Sequence, residues 1–327
     1  MAVLVTGASG FLGSHLLKRL AAMGTPVLGH GRDAERCEAL ERAGHAIVRH
    51  DLSRPFDVSL DPRLGKVDRI VHCAALSSPF GRLQDFVAAN VTATQNLVEF
   101  AKRQNVSRFV HISSPSVCFA FRDQLGLTED AALPHPVNHY ARTKRVAEEI
   151  VLAAPATHPV ALRPRGIYGA GDRALLPRLI KAAKSRPLPL FRGGRAAIDL
   201  THVDDVVDAV MAALAASGEA GSQIFNISGG ELLPVRRIAD EACARAGLQA
   251  RWRPMPLMPA MLAAGLMEAV AVRLPGRPEP PVTRYGLGLF AYAQSLDLSK
   301  AKRLLGWTPK VSFRQGLDRT FAGGGPA

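Results

Sequence analysis

The feature that most constrains this chain is an apolar strand that runs into a glycine-rich turn. Residues 3–13 are Val-Leu-Val-Thr-Gly-Ala-Ser-Gly-Phe-Leu-Gly, and helical periodicity continues to Met23. Gly7 permits the tight turn, Gly10 lets the backbone approach a diphosphate, and Gly13 lets the helix pack closely on the strand. The helix N-terminus adds free N–H groups that attract phosphates. The pattern predicts a dinucleotide site with contacts from Gly7, Ser9, Gly10, Phe11, Leu12 and Gly13.

Short β-rich runs and longer helical patterns alternate over the first 165 residues. The runs are Ala2–Val5, Pro26–Gly29, Ala46–His50, Arg69–Cys73, Arg108–Ile112 and Pro159–Leu162. The helical patterns are Leu12–Met23, Leu83–Arg103 and Asn138–Ala153. Strands separated by helices form crossover units, which predict a parallel sheet with helices on both faces. Residues 1–165 are therefore predicted to form a doubly wound α/β domain of the Rossmann type.

Prolines become frequent after Arg163, and the regular alternation loosens. A helix is predicted from Asp204 to Ala216, a strand over Gln223–Ile227 and a helix near Val235–Ala246. Residues 195–228 are predicted to return to the Rossmann domain. Residues 166–194 and 229–327 are predicted to form a smaller C-terminal α/β lobe over the open edge of the sheet, where ligands bind in such folds.

The composition argues against several classes of protein. A hydrophobic content of 47% with 21% charged residues is typical of a folded globular chain. The net charge is +13, but the basic residues are spread along the chain, so a nucleic-acid partner is not expected. The four cysteines form no CxxC pair, which predicts free thiols, a cytoplasmic location and no metal site. The first residues are too short an apolar run for a signal peptide.

The residues after the second predicted strand bear on the choice of cofactor. An acid at that point would bind the adenosine ribose hydroxyls and favour NAD. The chain instead has Gly31-Arg32-Asp33. The Arg32 guanidinium matches a 2′-phosphate in charge and geometry, and Asp33 is better placed to begin the next helix. NADP(H) is therefore favoured over NAD(H).

Three residues form a predicted proton-transfer site. Tyr140 and Lys144 lie four residues apart in a helical pattern, so they share one face. A neighbouring ammonium is expected to lower the pKa of the phenol and allow Tyr140 to exchange a proton with a substrate oxygen. Ser114 follows the fifth predicted strand and can polarise a substrate carbonyl. The pattern predicts hydride transfer to or from the adjacent carbon.

The whole set of motifs resembles the extended short-chain dehydrogenases/reductases, along nearly the full chain. The matching segments are Thr6–Gly13, Asp51-Leu52, Cys73-Ala74-Ala75, Asn90, Ser114, Tyr140 with Lys144, Arg163-Pro164, Tyr168-Gly169, His202-Val203-Asp204-Asp205, Phe225-Asn226-Ile227 and Leu305-Gly306-Trp307-x-Pro309. The resemblance implies that Ser114 polarises the carbonyl, Tyr140 is the acid or base and Lys144 holds the nicotinamide ribose. Further cofactor contacts are implied for Asp51, Leu52, Cys73, Ala74, Ala75, Asn90, Ser113, Pro164 and Ile167.

Two departures from the family pattern bear on the reaction. Sugar dehydratases of this kind carry an acidic pair after the serine position, whereas Pro115-Ser116 follows Ser114 here. Many sugar-nucleotide enzymes carry an asparagine where this chain has Gly166. Both departures argue against a sugar nucleotide as substrate.

An apolar segment in the C-terminal lobe suggests a different substrate class. Residues Met255–Leu274, with Arg284-Tyr285 downstream, resemble the 3β-hydroxysteroid dehydrogenase-like branch. Its apolar side chains are predicted to roof a substrate pocket, and interruption by Pro259 and Glu268 makes a membrane span unlikely in this segment. We therefore predict oxidation or reduction of a sterol-like molecule or long-chain β-keto acid. A sugar-nucleotide epimerase with tightly held NAD stays the alternative, and helices Leu83–Arg103 and Asn138–Ala153 are predicted to pair two subunits.

Overall fold

Strands and helices alternate along most of the chain. The computed structural model describes residues 1–216 and 218–322. Within these residues the strands are β1 (Ala2–Thr6), β2 (Val27–Gly31), β3 (Ile47–Arg49), β4 (Val67–His72), β5 (Arg108–Ile112), β6 (Gln124–Leu127), β7 (Pro159–Pro164), β8 (Ile167–Tyr168), β9 (Leu188–Leu190), β10 (Ala197–Ile198), β11 (Thr201–His202), β12 (Gln223–Ile227), β13 (Leu233–Pro234), β14 (Trp252–Pro254) and β15 (Gln294–Leu296). The α-helices are α1 (Phe11–Ala22), α2 (Ala34–Arg42), α3 (Leu83–Phe86), α4 (Ala93–Arg103), α5 (His139–Leu152), α6 (Leu176–Ser185), α7 (Val203–Ala215), α8 (Val235–Arg245), α9 (Leu257–Arg273), α10 (Arg284–Ala291), α11 (Ser299–Leu305) and α12 (Phe313–Phe321).

The central sheet has seven parallel strands in the order β12-β7-β5-β4-β1-β2-β3. Its strands are apolar on both faces because helices cover both faces. On one side, Val3 and Val71 pack in a cluster with Val206 of α7. On the other side, Leu4 and Phe109 pack in a cluster with residues of α4. The predicted doubly wound Rossmann sheet is confirmed.

Most predicted elements lie within one or two residues of the observed ones. The largest difference is in the helix predicted over Leu83–Arg103, which consists of α3, a π-helical turn at Val87–Thr92 and α4. The wider turn accommodates Asn90, whose side chain is buried and bonded to neighbouring segments. The periodicity of apolar residues could not reveal this interruption, because it depends on contacts made outside the helix.

A second sheet organises the C-terminal lobe, in the order β13-β10-β15-β6. Strand β6 lies in this sheet although it falls within residues 1–165, and β10 lies there although residues 195–228 are predicted to return to the Rossmann domain. Strand β12 does return to the central sheet, beside β7. The chain therefore crosses between the two sheets more often than the predicted boundaries describe.

The register of the central strands aligns polar residues near their carboxyl ends. Thr6 is paired with both His30 and His72, and His72 is paired with His111. All four side chains are buried. The row places imidazole rings directly beneath the edge of the sheet where α/β folds bind ligands.

Candidate active site

The glycine-rich turn joins β1 to α1 at the carboxyl edge of the sheet. Gly7 has a φ of +67°, and a Cβ there would lie 2.8 Å from the Ala74 backbone. A Cβ at Gly13 would lie 2.2 Å from the carbonyl oxygen of Gly7, so the predicted close packing of helix and strand is present. Helix α1 has no side-chain cap and no acidic residue in its first turn. Its free N–H groups and dipole therefore fit a diphosphate, as a dinucleotide requires.

The adenosine side of the site is formed by the ends of β2 and β3. The Asp33 carboxylate caps α2 by accepting a hydrogen bond from the Arg36 amide at 3.0 Å, as predicted. The Arg32 side chain is largely exposed, and its guanidinium lies 3.8 Å from Asp51 Oδ2. The Asp51 carboxylate also accepts from the Ser53 amide, which helps to lower its pKa. Leu52 is buried behind this pair.

The segment after β4 lines the floor of the site. Cys73 and Ala74 are partly buried and Ala75 is exposed. Burial raises the pKa of the Cys73 thiol to about 12, so it stays neutral. Thr6 Oγ1 accepts a hydrogen bond from the Ala74 amide at 3.3 Å, which connects this segment to the glycine-rich turn.

The Asn90 side chain connects the segment after β4 to helix α5. Its Oδ1 accepts from the Leu76 amide at 2.7 Å, and its Nδ2 donates to the Leu76 carbonyl and to Thr143 Oγ1. The side-chain amide of Asn90 therefore already has hydrogen-bond partners for both its oxygen and its nitrogen. We interpret Asn90 as a positioning residue between the β4 loop and α5, and its direct contact with the cofactor stays a prediction.

Helix α5 presents Tyr140 and Lys144 to the sheet. The helix begins where Asn138 Oδ1 accepts from the Ala141 amide at 2.8 Å, so Tyr140 lies in the first turn. The Tyr140 hydroxyl lies near the Ser114 and Ser77 side chains, both of which act to lower its pKa. Ser114 is held at the end of β5, where its Oγ accepts from the Ser116 amide at 3.2 Å. The structure thus brings the three predicted catalytic residues together.

Lys144 is buried beneath the tyrosine. Its Nζ donates to the Ile112 carbonyl at 2.6 Å and lies 3.1 Å from His111 Nε2. Burial lowers the pKa of Lys144 to about 8, opposed chiefly by the negative charge of Glu148. Burial and the Lys144 charge hold the pKa of His111 well below its usual range, so His111 is neutral and accepts from the ammonium.

A hydrogen bond between Thr6 and His72 lies beside Lys144 and His111 and extends their buried hydrogen-bond network. Thr94 Oγ1 donates to the Asn90 carbonyl and therefore accepts from His72 Nε2, at 3.0 Å. His72 Nδ1 then accepts from Thr6 Oγ1, at 2.7 Å. Burial lowers the pKa of His72 to about 3. The geometry assigns one neutral tautomer to His72 and so rigidifies the floor beside Lys144.

The pKa of Tyr140 differs from the prediction. Many atoms enclose its hydroxyl, and this burial raises the pKa, while the Ser77 and Ser114 side chains oppose the rise. The expected lowering by Lys144 is absent because the ammonium is directed to the Ile112 carbonyl and His111. In this state Tyr140 carries its proton and is suited to act as an acid.

Sequence reasoning missed two residues of this centre. Ser77 lies two residues after the Cys73-Ala74-Ala75 motif, beyond the carboxyl end of β4. His111 lies three residues before Ser114 on β5. The sequence signal that could have identified them is a serine and a histidine near the ends of neighbouring strands. This signal is weak, because serine is also common in strand-end turns and histidine in buried cores.

The remaining predicted cofactor residues lie near the ends of β5 and β7. Ser113 is buried, its amide donates to the Leu162 carbonyl at 2.7 Å, and its Oγ has no partner among the described residues. Pro164 ends β7, and Ile167 lies in β8 beside Thr201. These positions are at the same edge of the sheet as Ser114.

An aromatic wall on the substrate side of the site is formed by Tyr285 of α10 together with Phe119 and Phe121. The Tyr285 ring packs edge-on against Phe119 with centroids 5.0 Å apart, and Phe119 packs on Phe121 at 5.3 Å. Burial raises the pKa of Tyr285 to about 12, with a smaller contribution from nearby Tyr140. The wall is therefore apolar and neutral where it approaches the acid.

Helix α9 does not roof this wall as predicted. Met258, Leu262 and Leu266 are 68%, 72% and 68% exposed. Smaller or more flexible residues, including Ala264 and Met261, pack inwards instead against Phe191 and Leu287. The apolar run did not identify which side faces inwards, because both sides of the helix are apolar.

Comparison with known proteins identifies the family. A model described as the NAD dependent epimerase/dehydratase family matches residues 3–228. The chain belongs to this family. The predicted resemblance to extended short-chain dehydrogenases/reductases is confirmed, and with it an NAD-dependent oxidoreductase class. No helix within residues 1–216 and 218–322 is long and apolar enough to cross a membrane.

Relatives of similar length carry several activities. The chain is 31% identical to the 2-alkyl-3-oxoalkanoate reductase of Stenotrophomonas maltophilia, over 98% of this chain and 99% of that protein. It is 30% identical to the decarboxylating sterol-4-alpha-carboxylate 3-dehydrogenase of Saccharomyces cerevisiae, over 98% and 97%. The structure of UDP-glucuronic acid 4-epimerase from Bacillus cereus, solved in complex with NAD, is 27% identical with a TM-score of 0.75 and covers 98% of each chain.

Proposed function

We propose that this protein reduces a ketone, or oxidises the matching secondary alcohol, on a largely apolar molecule with a nicotinamide cofactor. The observation that carries this proposal is the convergence of Ser77 and Ser114 on the Tyr140 hydroxyl above buried Lys144. This set of groups can hold a substrate oxygen and transfer one proton to it.

The proposed mechanism uses the observed donors in turn. Ser114 donates a hydrogen bond to the substrate carbonyl oxygen, and Tyr140 delivers its proton to the same oxygen as reduction proceeds. A nicotinamide cofactor bound at the glycine-rich turn would supply the hydride for the carbonyl carbon. The phenolate left on Tyr140 is stabilised by the Ser77 hydroxyl. Since His111 and the Ile112 carbonyl hold Lys144 in place, they act as positioning groups.

The residues around the site argue against a sugar nucleotide. Gly166 has a φ of +50°, and a Cβ there would lie 2.5 Å from Leu200 Cδ2, so an asparagine would displace Leu200. Arg165, which lies near Tyr285, already pairs with Asp199 at 3.0 Å. Arg192 likewise pairs with Asp123 at 2.7 Å. Neither arginine is free to bind a diphosphate without losing its carboxylate partner.

The substrate class follows from the wall and the relatives. Tyr285 lies near Tyr140 and packs on Phe119, which packs on Phe121, and burial of apolar area against such a surface stabilises binding at about 25 cal/mol per Å². Two relatives are named for a ketoreductase and a sterol dehydrogenase activity. A long alkyl chain or a polycyclic body fits these surroundings better than a sugar.

We expect NADPH oxidation to be faster with apolar ketones than with sugar nucleotides. The measurement is kcat/KM across β-keto acids of increasing chain length, keto sterols and UDP-glucuronic acid. Efficiency should rise with chain length or ring count, since each added methylene buries more apolar area. A flat response to apolar ketones together with rapid conversion of UDP-glucuronic acid would establish the epimerase alternative.

We also propose a preference for NADP(H), because Arg32 is exposed and its only charged partner, among the described residues, is Asp51 at 3.8 Å. Arg32→Ala should weaken NADPH binding by about 1–3 kcal/mol, the cost of losing a charge-assisted hydrogen bond. NADH binding should change little. Titration of both cofactors by intrinsic fluorescence measures the difference, with Arg36→Ala as a matched exposed control. Equal binding of both cofactors by the parent and the variant contradicts the preference.

The homodimer and the cytoplasmic location stay predictions. Helices α4 and α5 contact each other on one face of the sheet, which supports a shared pairing surface. The cysteines Cys37, Cys73, Cys118 and Cys243 are free thiols, which supports a reducing compartment.

A further inference from the structure

The outward face of α9 is apolar along its whole length. The exposed residues of the helix on this face are Met258, Pro259, Leu262, Ala263, Leu266, Ala269, Val270 and Arg273. At 3.6 residues per turn they lie within an arc of about 140°. Arg273, at the last turn, is the only polar member. We call this surface the α9 face.

This exposure is not the result of a poorly packed core. The opposite side of α9 is already buried, with Ala264 fully covered in a cluster with Phe191 and Leu287. An ordinary surface helix carries charged or polar residues on its outer side. An apolar face of this length on a soluble domain indicates a binding surface.

An apolar groove extends the α9 face beyond the helix. It has a volume of about 510 Å³, and its lining includes Leu266, Val270, Leu274 and the proline-rich segment 278–281. Proline has no backbone N–H. The segment therefore presents fewer donors that need water, and it can enter an apolar medium at lower cost.

Positive charge surrounds the α9 face at both ends. Arg251 and Arg253 precede the helix, and Arg273 and Arg277 lie at and beyond its last turn. None of the four forms an ion pair within the part of the chain that the structure describes. The neighbouring carboxylates are already paired: Glu268 with Arg284 at 3.1 Å, and Glu279 with Arg178 at 3.0 Å.

We propose that the α9 face docks the protein peripherally on an anionic lipid bilayer. A helix that lies in the interface buries its apolar side among the acyl chains and keeps its cations at the headgroups. The flanking arginines match the lipid phosphates in charge. The anchoring is reversible, because only one face of the helix enters the bilayer.

A lipid surface accounts for the charges better than a second copy of the chain. Since both ends of α9 are basic, a two-fold contact between two α9 faces brings arginines together in either relative orientation. Like charges across an interface weaken it. An anionic bilayer instead pairs with every one of these arginines.

The α9 face is also close to the proposed chemistry. Helix α9 packs against α10, and α10 carries Tyr285 near Tyr140. An apolar ketone dissolved in the bilayer therefore has a short route to the acid. This link rests on the proposed function, whereas the docking itself does not.

The test is co-sedimentation of the full chain with vesicles, without substrate or cofactor. One set is phosphatidylcholine, and the other contains equal parts of phosphatidylcholine and phosphatidylglycerol. We expect binding to the anionic vesicles that weakens as salt is raised. The Leu262→Asp/Leu266→Asp variant should lower the partition coefficient at least about tenfold, since two leucines lose their apolar burial. The Arg273→Gln/Arg277→Gln variant should lower it roughly tenfold.

Matched controls separate docking from general effects. Leu125→Asp replaces a leucine that is 60% exposed on β6, and Arg42→Gln removes one exposed charge from α2. Both should bind as the parent does, and circular dichroism checks that all variants are folded. Equal binding to both vesicle types, no binding, or unchanged binding by the leucine variant overturns the proposal. Self-association that Leu262→Asp abolishes, without vesicle binding, assigns the face to a second copy. Because no turnover is measured, failure here leaves the ketone proposal intact.

Discussion

Tyr140→Phe is expected to reduce turnover of the preferred ketone by about 10²–10⁴-fold, the usual contribution of one positioned acid. The variant keeps the aromatic ring but removes the hydroxyl that lies near Ser77 and Ser114. Cofactor affinity should change little, because the lost group acts on the substrate oxygen. Steady-state NADPH oxidation gives kcat, and a fluorescence titration gives the cofactor affinity.

Tyr292→Phe is the matched control for this experiment. Its ring lies 5.0 Å from the Arg192 guanidinium, and that cation–π contact persists without the hydroxyl. Turnover of this variant should equal that of the parent. If Tyr140→Phe retained near-parental kcat, the assignment of Tyr140 as the acid would be wrong. If it lost cofactor binding as well, the hydroxyl would instead act on the cofactor.

Glu148→Ala is expected to lower the free energy of unfolding by about 3–5 kcal/mol, the cost of leaving a buried charge without its partner. Glu148 and Arg163 side chains are 3% and 1% exposed, and they form two hydrogen bonds of 2.7 and 2.8 Å. The pair connects α5 to β7, and Glu148 lies one helical turn after Lys144. Urea denaturation followed by circular dichroism measures the loss.

Two further variants distinguish a buried pair from a general helix effect. Glu149→Ala breaks the exposed pair with Arg145 on the same helix, and it should cost no more than about 0.5 kcal/mol. The double variant Glu148→Leu/Arg163→Met replaces both charges with apolar side chains and should recover most of the lost stability. Equal losses for Glu148→Ala and Glu149→Ala would show that the buried pair has no special role. If the double variant recovered none of the lost free energy of unfolding, the loss would come from altered packing and not from an unpaired charge.

The sequence predicted the sheet well because the sheet depends on local patterns, and the same patterns place the three proposed proton-transfer residues near one edge of it. Alternation of apolar strands with helices identifies a parallel sheet, and parallel strands place their carboxyl ends at one edge. Ser114 and Tyr140 could therefore be expected to meet, although 26 residues separate them. Asp33 was likewise recognisable as a helix cap, since its role depends only on the amide three residues ahead.

The partners of Lys144 and Tyr140 could not be predicted in the same way. His111 meets Lys144 because the register of β5 and the packing of α5 bring their side chains to 3.1 Å. Ser77 reaches Tyr140 from a loop whose position is set by Asn90 and Thr143. Burial raises the pKa of Tyr140, and the ammonium expected to lower it is bonded elsewhere.

The sequence by itself determined the fold, the glycine-rich turn and the residue types that carry the chemistry, because hydrophobic periodicity and turn geometry act over a few neighbouring residues. Tertiary structure alone decided which groups surround Tyr140 and which side of α9 faces outwards. It also decided that the Leu200 side chain fills the space that a side chain at position 166 would need. Met258, Leu262 and Leu266 belong to a helix that is apolar on both sides, so periodicity could not orient it. Its orientation was decided by Ala264 and other small residues, which allow α9 to lie close to α10 and leave the large side chains exposed.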